Sequence, residues 1–212
     1  MFRLACLLIG YLFGCFQTAY FVGKIFKKTD IRDHGSGNAG ATNVVRMFGA
    51  KFGIFVFIVD ILKSIAAAVL AAYIFGGATA FSVIDYDITP DFLPMMYAGF
   101  GAVLGHNFPV FLKFKGGKGA ACTIGVIFAL NFSIAILCYL LAVIAISFKK
   151  YVSLGSLSLL VAFPVLMWFF EFGHEEIAIA GAICALGWFR HKDNIVKILN
   201  GTERKLGQKE NL

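Results

Sequence analysis

"FGIFVFIVDILKSIAAAVLAAYIF", Phe52 to Phe75, runs for 24 residues with only Asp60 and Lys63 charged. About 20 apolar residues in helical form cross the hydrocarbon core of a bilayer, so this stretch reads as a membrane span. The reading also decides what the preceding loop is. Gly35-x-Gly37-x-x-Gly40 has the glycine pattern of a dinucleotide-binding turn, and Asp60 follows Gly40 by twenty positions, where a ribose-binding acid belongs. That fingerprint needs a strand before it and a βαβ unit around it. Here one membrane span precedes the loop and Asp60 lies inside another, so the dinucleotide reading fails on context.

Composition supports the span. The 212 residues are 59% hydrophobic and 15% charged, with mean hydropathy +0.82, against roughly 45–50% and 25% in soluble domains. A water-soluble fold of this size has nowhere to put that surplus. Net charge is +7, but the charges cluster between apolar runs. That excludes a nucleic-acid-binding face with interleaved aromatics, and the 24 Phe read as lipid-facing and packing residues. Cys6, Cys15, Cys122, Cys138 and Cys184 all lie in apolar runs without metal-ligand spacing, and read as buried free thiols. The N-terminus resembles a signal peptide only superficially, since its apolar run is long enough to span. Phe13 stands where a lipobox at "LFGC" needs a small residue.

Apolar runs fall at about 4–23, 52–75, 92–112, 118–132, 133–148, 151–172 and 177–190. The fourth, fifth and seventh are short, which leaves five crossings as an alternative to seven. Lys and Arg bias favours seven. One set of loops then holds Lys24, Lys27, Lys28, Arg32, Arg46, Lys51, Lys113, Lys115, Lys118, Lys149, Lys150 and the tail from Arg190 to Lys209. The other side holds Arg3 with the acids Asp85, Asp87, Asp91, Glu171, Glu175 and Glu176. The expected fold is therefore an all-α, polytopic integral membrane protein of about seven transmembrane helices. Its N-terminus is outside, its C-terminus cytoplasmic, and residues 1–212 form a single domain. Gly10-x-x-x-Gly14 invites close approach of a neighbouring helix. Asp60 and Lys63 share a helix face, and both mutual neutralisation and an active-site role fit them. No internal repeat is visible.

Three polar islands fall on the basic side. The first, "GSGNAGATNVVR", combines turn-forming Gly35, Gly37 and Gly40 with the hydrogen-bonding side chains of Ser36, Asn38, Thr42 and Asn43 and the planar fork of Arg46. The second, "GHNFPVFLKFKGGKGAA", carries His106, Lys115, Gly116, Gly117, Lys118 and Gly119 into a helix start, where backbone amides and the dipole favour an anion. It is not a phosphate-binding Walker loop, because Leu112 and Gly119 occupy two of that pattern's defining positions. The third, "RHKDNIVKILNGTERK", sets His191 and Asn194 on one helical face, with Lys197 a turn later and Glu203 beyond. Together the islands gather cations for about two phosphate groups near lipid depth. No metal cluster, paired carboxylates or Ser-His-Asp order emerges, so the residues alone point to phosphoryl or acyl chemistry at a membrane.

These three stretches resemble, in order, the three cytoplasmic motifs of the bacterial acyl-phosphate-dependent glycerol-3-phosphate acyltransferases, the PlsY family, and "DILK" at Asp60 to Lys63 fits as well. The likeness covers essentially the whole chain. Ala39 replaces a frequent proline, and the loop from Gly76 to Pro94 is long and acidic. The resemblance implies transfer of a fatty acyl group from acyl phosphate to the sn-1 hydroxyl of glycerol 3-phosphate. The products are lysophosphatidic acid and inorganic phosphate, in a bacterial inner membrane, with the site on the cytoplasmic face. It implies no cofactor, no metal, no nucleic acid and no obligatory protein partner. The H-x-x-x-x-D motif of other glycerol-phosphate acyltransferases is missing, since Ala39, Phe111, Ile179 and Val196 stand five positions after the four histidines.

On this resemblance Arg46, Lys118, His191 and Asn194 are expected to hold the glycerol-phosphate head. Ser36, Thr42 and the "KGGKG" amides are expected to hold the acyl phosphate, with the acyl chain in a groove open to lipid. The hydroxyl proton goes either to His191 or to a substrate phosphate. A transporter of phosphorylated solutes is the competing class, and would place its anion site near the midplane between repeats. A lipid phosphatase or phosphotransferase is a further competitor.

Overall fold

The computed structural model describes residues 1–76, 91–206 and 208. Asp85, Asp87, Lys209 and most of the acidic loop after Gly76 lie outside them. Among the described residues all regular structure is helical. In chain order the helices are α1 (Phe2–Cys15), α2 (Thr18–Lys27), α3 (Ala41–Phe48), α4 (Ala50–Phe75), α5 (Leu93–Asn107), α6 (Ala120–Leu130), α7 (Phe132–Lys149), α8 (Val152–Phe169), α9 (His174–Arg190) and α10 (Lys192–Leu199). Among the described residues, four stretches are long and apolar enough to cross a membrane: α1 with α2, α4, α7 and α8.

The side chains are arranged for lipid, with small residues inside and large ones outside. Helix α4 buries Gly53, Val56, Ser64, Ala67, Ala68, Ala71 and Ala72, and turns Ile54, Phe55, Ile58, Leu62 and Tyr73 outward. The expectation for Gly10 and Gly14 is met by a matching pair on α5. A Cβ on Gly10 would strike the Ala98 carbonyl, and one on Gly105 the Tyr11 carbonyl. The two backbones therefore touch. Phe163, Met96, Ile127, Ile134, Leu160, Met167 and Ile183 fill the centre between α5 and α9.

Two apolar runs break where the sequence reading had them continuous. The first stops at Cys15 and restarts at Thr18, and buried polar groups satisfy the freed carbonyls. Gln17 Nε2 donates to Gly14 O at 3.1 Å and to His106 O at 3.0 Å. Lys63 Nζ donates to Phe16 O at 2.7 Å and Gly14 O at 3.3 Å, and pairs with Asp60 Oδ1 at 2.8 Å. The third run stops at Asn107 and continues as a 3-10 turn at Val110–Leu112. Helix α6 holds eleven residues, or about 16 Å of rise, and ends where the Asn131 side chain caps α7 by accepting from Ile134 N–H at 3.0 Å.

The bundle has two chemically different ends. At one, Arg3 pairs with Glu175 at 2.7 Å and the Tyr97 hydroxyl donates to the same carboxylate at 2.5 Å. At the other, the basic loops bind one another. Arg32 Nη1 donates to Leu112 O at 3.0 Å, Arg190 Nη2 to Gly117 O at 2.9 Å, and Leu206 N–H to Lys150 O at 2.6 Å. The three islands meet at this second end.

Candidate functional site

The first loop is folded around one side chain. Asn43 is buried, its Nδ2 lies 3.0–3.1 Å from the carbonyls of Ile31, His34 and Asn38, and its Oδ1 accepts from Ser36 N–H at 2.9 Å. The turn this requires puts Gly35 at φ 62° and Gly37 at φ 70°, and a Cβ on Gly35 would collide with the Asn43 amide. Asn43, expected to touch substrate, thus has its amide engaged by its own loop. Gly40 caps α3 in an extended conformation, and Gly40, Ala41 and Thr42 present the α3 N-terminus to a cavity.

The second loop is held from two sides. Gly116 and Gly117 N–H donate to Asn107 O and His106 O at 3.2 and 2.9 Å, while Arg190 grips their carbonyls. Those two amides are therefore committed to α5, not offered to an anion as the sequence reading expected. Gly117 packs against the His106 imidazole, whose Nδ1 accepts from Lys63 Nζ at 3.0 Å. The helix start that faces the cavity lies just beyond these two glycines. Gly119, at φ 85°, starts α6, and Gly119, Ala120 and Ala121 face the same cavity as the α3 N-terminus. The N-termini of α3 and α6, with their positive dipole ends, converge there.

The third island supplies a relay of polar side chains. Lys118 Nζ donates to Asn194 Oδ1, Asn194 Nδ2 donates to Glu203 Oε1 at 2.8 Å, and that oxygen also accepts from Ser153 Oγ at 2.8 Å. Burial lowers the Lys118 pKa to about 8, opposed by Glu203 and assisted by Arg190. His191 is 3% exposed, and its Nδ1–H donates to Gly187 O at 2.7 Å. A carbonyl only accepts, so Nε2 carries the lone pair. Burial, with Lys118 next, lowers the His191 pKa to about 4, so the ring is neutral at ordinary pH.

Two chambers adjoin here. One, of about 280 Å³, has a polar mouth that includes Thr42 and His191, and an apolar body of Phe57, Ile124, Tyr139, Val143, Ile146 and Leu159. The other, of about 630 Å³, is lined by Gly35, Gly37, Lys115, Gly116, Arg190, Lys192, Lys197 and Arg204 among others. Ser36, Asn38, Arg46, Lys118, Asn194 and Glu203 belong to both. Of the residues expected from sequence, Gly117 lines neither chamber. Ser153 and Arg190, which the structure brings to these chambers, were not among the residues expected from sequence. Ser153 is one serine in an apolar helix start, and Arg190 at a span end is indistinguishable from a membrane anchor. Asp60 faces the apolar chamber while bound to Lys63 and to Thr18 Oγ1, the latter at 3.0 Å. It joins the broken helix to the site.

A family model described as glycerol-3-phosphate acyltransferase matches residues 4–201. The glycerol-3-phosphate acyltransferase of Shouchella clausii is 40% identical over 210 residues, covering 97% of each chain. That of Thermoanaerobacter pseudethanolicus is 39% identical over 209 residues, covering 99% of this chain and 98% of its own. A crystal structure of PlsY, an integral membrane glycerol 3-phosphate acyltransferase, in its glycerol 3-phosphate form superposes with TM-score 0.84 at 34% identity. It covers 97% of this chain and 96% of that one. Its lysophosphatidic acid form gives 0.80 at the same identity.

Proposed function

Because the chain belongs to the glycerol-3-phosphate acyltransferase family, we propose that it moves a fatty acyl group from acyl phosphate to the sn-1 hydroxyl of glycerol 3-phosphate. The observation that carries this is the pairing of an apolar chamber with a cationic one across a shared wall of Ser36, Asn38, Arg46, Lys118, Asn194 and Glu203. The acyl chain lies in the first and glycerol 3-phosphate in the second. The phosphate of the donor sits between the N-termini of α3 and α6, beside Ser36 and Thr42.

Little chemistry is then required beyond alignment and charge stabilisation, since acyl phosphate carries its own leaving group. The hydroxyl oxygen attacks the acyl carbon, the new ester bond forms, and the bond from that carbon to the phosphate oxygen breaks. Lys118 and Arg46 hold the negative charge that accumulates on the leaving oxygen. His191 Nε2 accepts a hydrogen bond from the attacking hydroxyl and orients it. A base of pKa about 4 is poorly matched to taking that proton, whereas a phosphate of second pKa about 6 is better. The proton therefore leaves with inorganic phosphate. Residues 1–212 work as one unit, because loops from both ends of the chain build each chamber. The chain crosses a bacterial inner membrane seven times, with the basic end and the active site in the cytoplasm and the N-terminus outside.

Purified protein in lipid, given glycerol 3-phosphate with palmitoyl phosphate or with palmitoyl-CoA, tests the reading. Phosphate release matched by lysophosphatidic acid with acyl phosphate alone is expected. Phosphate release without acylated product would make it a phosphatase, and turnover with palmitoyl-CoA would remove the donor assignment.

A further inference from the structure

The apolar chamber has a measurable depth. Its deepest lining residue on α7 is Tyr139, ten residues before Lys149 at the basic end, or about 15 Å along the helix. On α8 it reaches Leu159, seven residues after Val152, or about 10 Å. Between these levels α7 presents Ala142, Val143 and Ile146, and α8 presents Ser153, Gly155 and Ser156. Ala142 lies on α7 one turn from Tyr139, and its carbonyl is within 3 Å of where a Cβ on Gly155 of α8 would stand. The first ring that α7 or α8 contributes to this path is Tyr139, which is 47% exposed; Phe57 of α4 lines the chamber from the other side.

A methylene moving from lipid into this chamber gains no hydrophobic free energy, because both surroundings are apolar. The chamber can select only by shape. An extended chain advances about 1.2 Å per bond, so 15 Å holds about twelve carbons. On the acyl-chamber reading above, we propose that Ala142, Gly155 and Tyr139 form a steric gauge. It reads the shape of about the first twelve carbons of the donor and returns the rest to the bilayer at Tyr139. Total length beyond that point goes unread. Bulk near the level of Ala142, at about carbon 8, is refused.

The test is competition in one bilayer containing the full-length protein and glycerol 3-phosphate. Palmitoyl phosphate is mixed at equal amounts with one competitor, and the ratio of lysophosphatidic acids is read by mass spectrometry. That ratio is independent of how much of a variant folds. Myristoyl and stearoyl phosphates are expected within about twofold of palmitoyl, and a chain methylated at its penultimate carbon likewise. A chain methylated at carbon 8 is expected to lose by about tenfold. Ala142→Gly should relax that refusal. Ala142→Leu should turn the enzyme towards octanoyl over palmitoyl phosphate, and Tyr139→Ala should admit a methyl at carbon 12 that the native protein refuses. Equal use of the carbon-8 branched donor, or ratios unchanged in all three variants, overturns the gauge while leaving the acyltransferase reading standing. No acylated product from any straight donor overturns both.

Discussion

Lys118 and His191 face the same junction, and burial acts on both by disfavouring their charged forms. For Lys118 the pKa of about 8 means that the ammonium is lost as pH rises through that value, while a bound phosphate favours the charged form. Affinity for glycerol 3-phosphate should therefore be level from above the phosphate's own pKa of about 6 up to pH 8 and weaken beyond it, approaching about tenfold per unit. Lys118→Arg should keep its affinity to about pH 10, since a guanidinium does not deprotonate there. A native KM that stays flat to pH 10 would remove Lys118 from phosphate contact. For His191 the native pKa of about 4 lies below the ordinary 6.5. The unfolded chain takes up that proton first, so this residue costs native stability as pH falls from about 6.5 to about 4. His191→Gln should raise KM for glycerol 3-phosphate and lower kcat together, with kcat/KM down by about tenfold in all, as expected for one lost hydrogen bond. The acid limb near pH 6, set by phosphate, should persist. Loss of turnover with affinity intact would make His191 the base instead. Both residues were legible as candidates from their polar neighbours in sequence. Asn194 and Glu203 were legible as well, but their linkage to Lys118 and to Ser153 was not, because those contacts join residues distant in the chain.

At the level of elements, the contact between α1 and α5 depends on glycines from both helices. A side chain at Gly105 would meet the backbone of α1 at Tyr11 and Cys15, and backbone cannot rotate away as a side chain can. Gly105→Leu should cost at least about 3 kcal/mol, read as a lowered thermal midpoint in detergent. Gly181, with open space around it, is the control, and Gly181→Ala should stay within about 0.5 kcal/mol of native. Equal midpoints would show that α1 moves aside. Gly10-x-x-x-Gly14 announced this contact in sequence, whereas the break at Cys15 to Gln17 did not announce itself. Hydropathy is blind to it, because the freed carbonyls of Gly14 and Phe16 are satisfied by Gln17, itself anchored on the His106 carbonyl, and by Lys63, far along the chain.

On the scale of the whole molecule, the two ends differ in charge, and this carries the proposed orientation. Lys205→Cys should react with a membrane-impermeant maleimide only after the cell membrane is opened. Glu171→Cys should react in intact cells. Both positions are exposed, and four of the five native cysteines are buried, leaving Cys184 as background. The reverse labelling pattern would invert the topology. One pattern at both positions would refute an odd number of crossings between them.

The sequence by itself determined the all-helical membrane character, the family, and the collection of three polar, largely basic loops at one end. Each rests on local composition or on residues adjacent in the chain. Tertiary structure alone decided which amides of "KGGKG" are engaged by α5, that Asn43 organises its own loop, and that Lys118, Asn194, Glu203 and Ser153 form one relay. It also decided that an apolar and a cationic chamber share a wall. A hydrogen bond has one geometry and a cavity has several walls. Both depend on the relative placement of helices distant in sequence, which no local pattern of residues encodes.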